Sequence, residues 1–358
     1  MKKTIVEVIP SLNKRAGAEV FLVSLMEQFL KFGFCVHLIV LYDDGIDPSF
    51  NKILHRVNLT ILNKKKGLDL RCSKAFKKAL DIIKPDILHM HLNCLTTFFF
   101  AYCFKKPTFE SFLTVHSIAS KDSTGIVSLL RLILSKRKML KFIAINNAVF
   151  ETIKEKMPKA ETYTINNGIV LYENDTFIEK KYDLICVAAF RKEKNHVFLF
   201  DAIETMLNNN VSISVLCVGN GETFEQDYSY LRGLKCFNNF AFIPNTDDVY
   251  QFLTLSRIFT LTSLYEGCPI SILEAMSCGL PILAPSVGGI GAVVKDNING
   301  FLYTPNDTES YIFLLQKLLN DQNLINSIGL NNKKNIKDEY SIEKCAHKYS
   351  ELFFKGGF

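Results

Sequence analysis

One pattern governs what this chain can fold into. Short, almost uninterrupted apolar runs alternate with amphipathic stretches along the sequence. In the first half the runs are Thr4–Ile9, Val36–Leu41, Asp86–His91, Phe112–Val115, Phe142–Ile145 and Tyr163–Ile165. Helical periodicity lies between them, as in Glu19–Phe32 and Lys74–Ile83. Near-continuous apolar strands separated by helices predict a parallel sheet covered on both faces. A turn signal follows at Asn166-Asn167-Gly168, then a polar stretch from Glu173 to Lys181. The pattern restarts with Asp183–Ala188, Ser212–Val218, Phe240–Ile243, Ile258–Leu261 and Pro281–Ala284. The expectation is therefore two doubly wound α/β domains, 1–170 and 171–340. Ligands of such sheets bind outside the carboxyl ends of the strands. Two of them facing across a cleft can close on a ligand.

Composition removes several function classes. With 48% apolar residues, the chain is neither disordered nor collagen-like. Its ten cysteines form no Cys-x-x-Cys pair and sit mostly in apolar runs such as Leu216-Cys217-Val218. Reduced, buried thiols in a cytoplasmic protein are the expectation, with no metal site and no cofactor. The uncharged run from Met90 ends at Phe104 before Lys105-Lys106-Pro107, short of the ~20 residues a span requires. The net charge of +6 hides an imbalance. Residues 1–170 carry +12 and the remainder −6. This split suits a surface partner for one half and argues against a nucleic-acid binder.

The stretch with most chemistry runs from Ser263 to Pro281. Gly267 permits a tight turn, Pro269 suits the first turn of a helix, and Gly279 with Pro281 stops that helix. Glu266 then lies in a strand-to-helix loop and Glu274 two turns on. A helix N-terminus carries free N–H groups and a positive dipole end, which suit a diphosphate. Carboxylates beside it can accept hydrogen bonds from ribose or hexose hydroxyls. By spacing alone, an exposed turn glutamate and a helix-surface glutamate serve equally well. Gly219-Asn220-Gly221 after an apolar run could open a dinucleotide fingerprint, but position 224 is Phe where the third glycine would stand.

The surrounding residues narrow this. Glu266-x7-Glu274 resembles the signature of retaining glycosyltransferases of family 4, which have the GT-B fold. Ala16-Gly17-Ala18-Glu19 resembles the family's first loop, and Lys84-Pro85-Asp86-Ile87-Leu88-His89-Met90-His91 a strand of its first domain. Thr114-Val115-His116, Ile165-Asn166-Asn167-Gly168-Ile169, Glu193-Lys194-Asn195-His196, Val218-Gly219-Asn220-Gly221, Val287-Gly288-Gly289 and Asn299-Gly300-Phe301-Leu302 follow in the family's order.

The resemblance implies a fold and a set of roles. The fold is GT-B, with an N-terminal acceptor-binding domain, a donor-binding domain, and a last helix over 341–358 that packs back on the first. Glu266 contacts the transferred sugar, Glu274 the ribose, and His116 the sugar near the reacting carbon. The backbone of Gly267, Cys268, Pro269 and Ile270 holds sugar and phosphate. Gly17, Gly219 and Asn245 also line the donor. Lys194 is the phosphate cation. The family commonly has an arginine five residues before it, where this chain has Ala189, so Arg191 is expected to substitute. His89 and His91, on a buried strand, read better as packing residues, and a core imidazole is the alternative for His116.

The implied activity is retaining, metal-independent transfer of a hexose from a nucleotide-diphosphate sugar, UDP favoured. The implied acceptor is a hydroxyl of a glycan or lipid-linked sugar in surface-polysaccharide assembly. A catalytically degenerate subunit that binds a partner enzyme is the second reading. The basic residues Lys105, Lys106, Arg131, Lys136, Arg137, Lys138 and Lys141 surround an apolar-rich stretch, Gly125 to Lys141. It reads either as an ordinary helix with a solvated basic side or as a surface for an anionic membrane.

Overall fold

The computed structural model describes residues 2–354 apart from 14–16, 117–124, 174–177, 245, 247 and 268. The chain divides into two compact units, residues 1–170 with 342–358, and residues 171–341.

The first unit is built on seven parallel strands: β1 (Thr4–Ile9), β2 (Cys35–Val40), β3 (Asn58–Ile61), β4 (Ile87–His91), β5 (Glu110–Val115), β6 (Lys141–Ala144) and β7 (Thr162–Thr164). Their order is β3-β2-β1-β4-β5-β6-β7. The direction of strand addition reverses between β1 and β4, the switch point of a doubly wound sheet. All five residues of β4 are buried, and so are five of the six in β1. That burial explains why these segments read as unbroken apolar runs.

The helix Gly17–Lys31 covers one face with Phe21, Leu22, Leu25, Met26 and Phe29. Against it lies the helix Ile342–Phe354, which buries Ile342, Cys345, Ala346, Tyr349 and Phe353. Phe353 reaches Phe29, Phe112 and the ring of His89. At the start of this helix the Ile342 N–H donates to the Ile169 carbonyl at 2.8 Å.

The second unit repeats the scheme with β8 (Tyr182–Val187), β9 (Val215–Val218), β10 (Phe240–Ile243), β11 (Ser256–Thr260), β12 (Ile282–Pro285) and β13 (Gly300–Tyr303), in the order β10-β9-β8-β11-β12-β13. Its switch point lies between β8 and β11. The sequence pattern omits two strands. β3 is an edge strand whose residues are exposed or half-buried, so it shows no apolar run. β13 opens on Asn299-Gly300, which reads as a turn. A Cβ on Gly300 would lie 2.1 Å from the Ile282 carbonyl oxygen, so the glycine is there for close strand approach. Among the described residues, no helix is long and apolar enough to cross a membrane. None of the nine described cysteines is in a disulfide.

Candidate active site

In the second unit the chain leaving β8 and the chain leaving β11 run together at the switch point. The Leu264 N–H donates to the Glu193 carbonyl at 2.8 Å, and Thr262 Oγ1 donates to the Lys194 carbonyl at 3.0 Å. These bonds fix two loops that otherwise share no secondary structure. They bring Lys194 Nζ to 2.6 Å from Glu266 Oε1. Ser263 Oγ donates to the same oxygen at 2.6 Å. Oε2 of Glu266 takes no hydrogen bond from the described residues. The Glu266 side chain is 7% exposed and that of Lys194 20%, so the pair is largely shielded from water.

The backbone under Glu266 is held as firmly. Gly289 N–H donates to the Glu266 carbonyl at 3.1 Å. Gly288 has φ +52, and a Cβ there would lie 1.9 Å from that carbonyl oxygen. The Val287-Gly288-Gly289 turn is thus shaped by the Glu266 loop. Gly219 plays a like part against the backbone that leaves β8. Its φ is +142, and a Cβ would lie 2.1 Å from the Ala188 carbonyl oxygen.

The helix Ile270–Ser277 starts where the residue pattern places it, with Pro269 as its N-cap rather than inside the first turn. Gly267 lies in the loop and Ile270 opens the helix; Glu274, one turn in, is half-buried. Arg191 lies 3.9 Å from Glu193 with a side chain 45% exposed, so its guanidinium remains reachable from solvent. Cys268 and Asn245 lie outside the described residues, as does Ala16 before Gly17, which is the first residue of its helix. Ser263 and Gly288 join the site beyond the expected residues. Ser263 lies three residues before Glu266 in the same loop, and that loop is the only mark of it in the residues.

His116, the other expected catalytic residue, follows β5 in the first unit and is part of a buried polar chain. His91 Nδ1 lies 3.0 Å from His116 Nε2, and His91 Nε2 lies 3.0 Å from Glu7 Oε2. His89 Nδ1 lies 3.1 Å from Glu7 Oε1, and its Nε2 is 2.7 Å from Thr114 Oγ1. Thr114 Oγ1 in turn meets the Tyr349 hydroxyl at 3.0 Å. Glu7, His89 and His91 are residue types that can bind a metal. Their contacts here are those of a hydrogen-bond chain, with every atom at hydrogen-bond distance from its neighbour.

Burial pushes the Glu7 carboxyl up, but the attraction and hydrogen bonds of His89 and His91 outweigh it and hold the group at about 2. Burial and the neighbouring His89 lower His91 to about 4, against the pull of Glu7. His116 is held well below 6.5 by burial and the two histidines. His196, stacked on Phe190 with centroids 3.8 Å apart, is lowered to about 4 by burial and the nearby Lys194.

Two outcomes follow. Gly288→Ala sets a methyl against a backbone carbonyl in a left-handed conformation and should cost ~2 kcal/mol. Thermal unfolding reads this as a fall in Tm, and an unchanged Tm would contradict the packing. The second concerns pH. In the unfolded chain histidines take up protons near 6.5, whereas folded His91 and His196 stay neutral down to about 4. The unfolded state therefore binds more protons in that window, and stability falls as pH drops from 6.5 towards 4. Folded Glu7 keeps its charge from its ordinary 4.5 down to about 2, so its stabilisation, present above 4.5, is lost between those values. Tm should decline steadily below about pH 6.5; a flat profile down to about pH 4 would contradict the neutral rings.

Comparison with known proteins bears on the family and the fold. Residues 15–172 match the family model described as Glycosyltransferase Family 4, and residues 172–335 match that described as Glycosyl transferases group 1. An Escherichia coli UDP-Gal:alpha-D-GlcNAc-diphosphoundecaprenol alpha-1,3-galactosyltransferase is 30% identical over 165 residues, 45% of this chain and 42% of that relative's length. A Bacillus anthracis N-acetyl-alpha-D-glucosaminyl L-malate synthase is 25% identical over 286 residues, covering 75% of this chain and 74% of its own. Among solved structures, Anabaena HepE in complex with UDP and glucose has a TM-score of 0.80 at 18% identity, over 99% of this chain and 100% of that one. A glycosyltransferase from Rickettsia africae has a TM-score of 0.81 at 16% identity, over 99% and 98%. These likenesses show the GT-B fold. With family models matching from residue 15 to residue 335, the chain belongs to the family 4 glycosyltransferases.

Proposed function

We propose that this glycosyltransferase moves a hexose, with retention, from a UDP-sugar to a hydroxyl of a glycan or lipid-linked acceptor in cell-surface polysaccharide assembly. The observation that carries the reading is the buried Lys194–Glu266–Ser263 cluster at the switch point of the second unit. The family membership supports transfer. The donor assignment draws on the UDP complex of Anabaena HepE and on the UDP-Gal donor in the name of the Escherichia coli relative. The acceptor draws on that name and on a Staphylococcus aureus capsular polysaccharide biosynthesis glycosyltransferase, 22% identical over 197 residues.

The chemistry uses groups the chain supplies. The bond from the anomeric carbon to the β-phosphate oxygen breaks, and negative charge grows on the diphosphate. Lys194, Arg191 and the N-terminus of the helix Ile270–Ser277 stabilise that charge, with no divalent ion required. Glu266 orients the sugar through hydroxyls that donate to its open Oε2, and Glu274 takes the ribose. The acceptor oxygen bonds to the anomeric carbon on the face the diphosphate leaves, and its proton passes to the departing phosphate oxygen.

Without a donor, Lys194 is neutralised by Glu266. An arriving diphosphate then shares a cation already in place. Glu266→Gln and Lys194→Ala should each lower kcat/KM for transfer by about 10²-fold or more in EDTA-containing buffer while circular dichroism stays unchanged. Full activity in either folded variant, or loss of wild-type activity in EDTA, would overturn the assignment.

The first unit offers a surface for an anionic membrane on the cytoplasmic side. The helix Ile126–Lys136 buries Leu130, Arg131 and Leu134 and leaves Ile126 and Leu129 exposed. Arg131 is thus a core residue and not part of the solvated basic side. Arg137 Nη1 donates to the Cys103 carbonyl at 2.7 Å, which brings exposed Phe104, Lys105 and Lys106 beside exposed Lys136, Arg137 and Lys138. Basic residues near anionic lipid contribute ~1 kcal/mol each. The protein should sediment with anionic vesicles at low salt and release at high salt. Failure to sediment at low salt would remove the membrane from the reading.

A further inference from the structure

A parallel strand covered on both faces is a poor place for a carboxylate, yet Glu7 lies within β1 with no solvent exposure. The pairing of β1 with β4 sets it beside His89 in register. His89 and His91 lie on the same face of β4, and both rings meet the carboxylate, His89 Nδ1 between its two oxygens and His91 Nε2 at Oε2. Six side chains, Tyr349, Thr114, His89, Glu7, His91 and His116, form one continuous hydrogen-bonded line. It ends at a histidine that retains some solvent exposure.

Donor counting fixes the protons on the His116 arm. The ionised Glu7 carboxylate has only lone pairs, so His91 Nε2 carries a hydrogen and donates to it. A neutral His91 then has a bare Nδ1. The 3.0 Å contact from that nitrogen to His116 Nε2 needs one hydrogen between them, and it must sit on His116. The second nitrogen of His116, Nδ1, is left bare. It has no partner among the described residues. If His91 were instead a cation, its Nε2 would still donate to Glu7, but its Nδ1 would donate to His116 Nε2 and leave the His116 hydrogen on Nδ1. Burial of His91 opposes that state.

We propose that Glu7 and His91 are positioning residues that hold His116 as the Nε2–H tautomer, so that its bare Nδ1 accepts a hydrogen bond from a sugar hydroxyl. The proposal rests on the reading of His116 as a sugar contact. It gives His116 one polarity: an acceptor, and not a cation. That polarity suits the chemistry, because a positive ring beside an oxocarbenium-like centre would oppose the charge developing there. It also accounts for an arrangement that packing alone does not require. An apolar trio in place of Glu7, His89 and His91 would fill the same space without three buried polar side chains to satisfy.

Nitrogen NMR of histidine-labelled full-length protein reads the tautomer directly, with the resonance assigned by its loss in His116→Asn. The expected wild-type signal is a single tautomer, protonated at Nε2 and bare at Nδ1. His91→Phe keeps a ring in place but removes the acceptor. It should move the His116 signal towards an average of both tautomers and lower kcat roughly 10-fold or more, with donor KM nearly unchanged. A wild-type His116 protonated at Nδ1 overturns the proposal, and this holds even if His91→Phe does not fold. A folded His91→Phe that keeps both the single tautomer and the wild-type kcat also overturns it. The NMR result does not depend on turnover. A wild type that transfers no sugar but shows the Nε2–H form would count against the functional reading and not against the relay.

Discussion

Both sheets are parallel and covered on both faces, and most of what is distinctive here descends from that. Water does not reach the middle of such a strand, so a polar side chain there must find its partners among other side chains. In the first unit this gives Glu7 two imidazoles and each imidazole a second neighbour. In the second unit the buried Ser256 and Thr260 of the central strand β11 donate to backbone carbonyls, and a further cluster of polar groups lies where the strands end. Lys194, Ser263 and Glu266 meet in the loops after β8 and β11 because the switch point is where neighbouring loops turn to opposite sides. The two units thus meet one constraint in two ways, with a satisfied internal network in one and a cluster at the strand ends in the other.

The two clusters also differ in charge. In the second unit a cation and a carboxylate neutralise each other at 2.6 Å and remain partly accessible, so an anion and a hydroxyl can divide them. In the first unit one fully buried carboxylate serves two rings, and burial above all keeps the outermost ring, His116, from taking a proton. The net charge of each half, basic in the first and acidic in the second, predicts neither arrangement. In the proposed reading, an anion in the acidic unit is held by a local cation and a helix end rather than by the summed charge.

Much of this was legible in the residues. The alternation of apolar runs placed eleven of the thirteen strands, and the Glu-x7-Glu stretch marked the loop and helix where Glu266 and Glu274 lie. The failures have physical causes. The edge strand β3 carries no apolar signature because its faces are partly wet, and β13 was hidden by a glycine needed for close packing against Ile282. Arg131 looked like part of a basic face because charge alone does not reveal which side of a helix turns inward. The Glu7 relay was the least legible. Its members lie in three separate segments before residue 117 and in one at residue 349, and nothing in their spacing foretells that register would align them.

That last separation bears on how the protein is made. Thr114 and Tyr349 are joined by a hydrogen bond across 235 positions, and the whole second unit is encoded between them. A ribosome delivering the chain from its first residue releases the seven strands of the first unit long before the helix that covers their inner rings. Until Tyr349 and Phe353 emerge, His89 and Phe112 lack their cover, while the second unit already has every residue of its own sheet. The domain that begins first is therefore the one that finishes last, and any chain cut short before the final helix leaves its opening half incomplete.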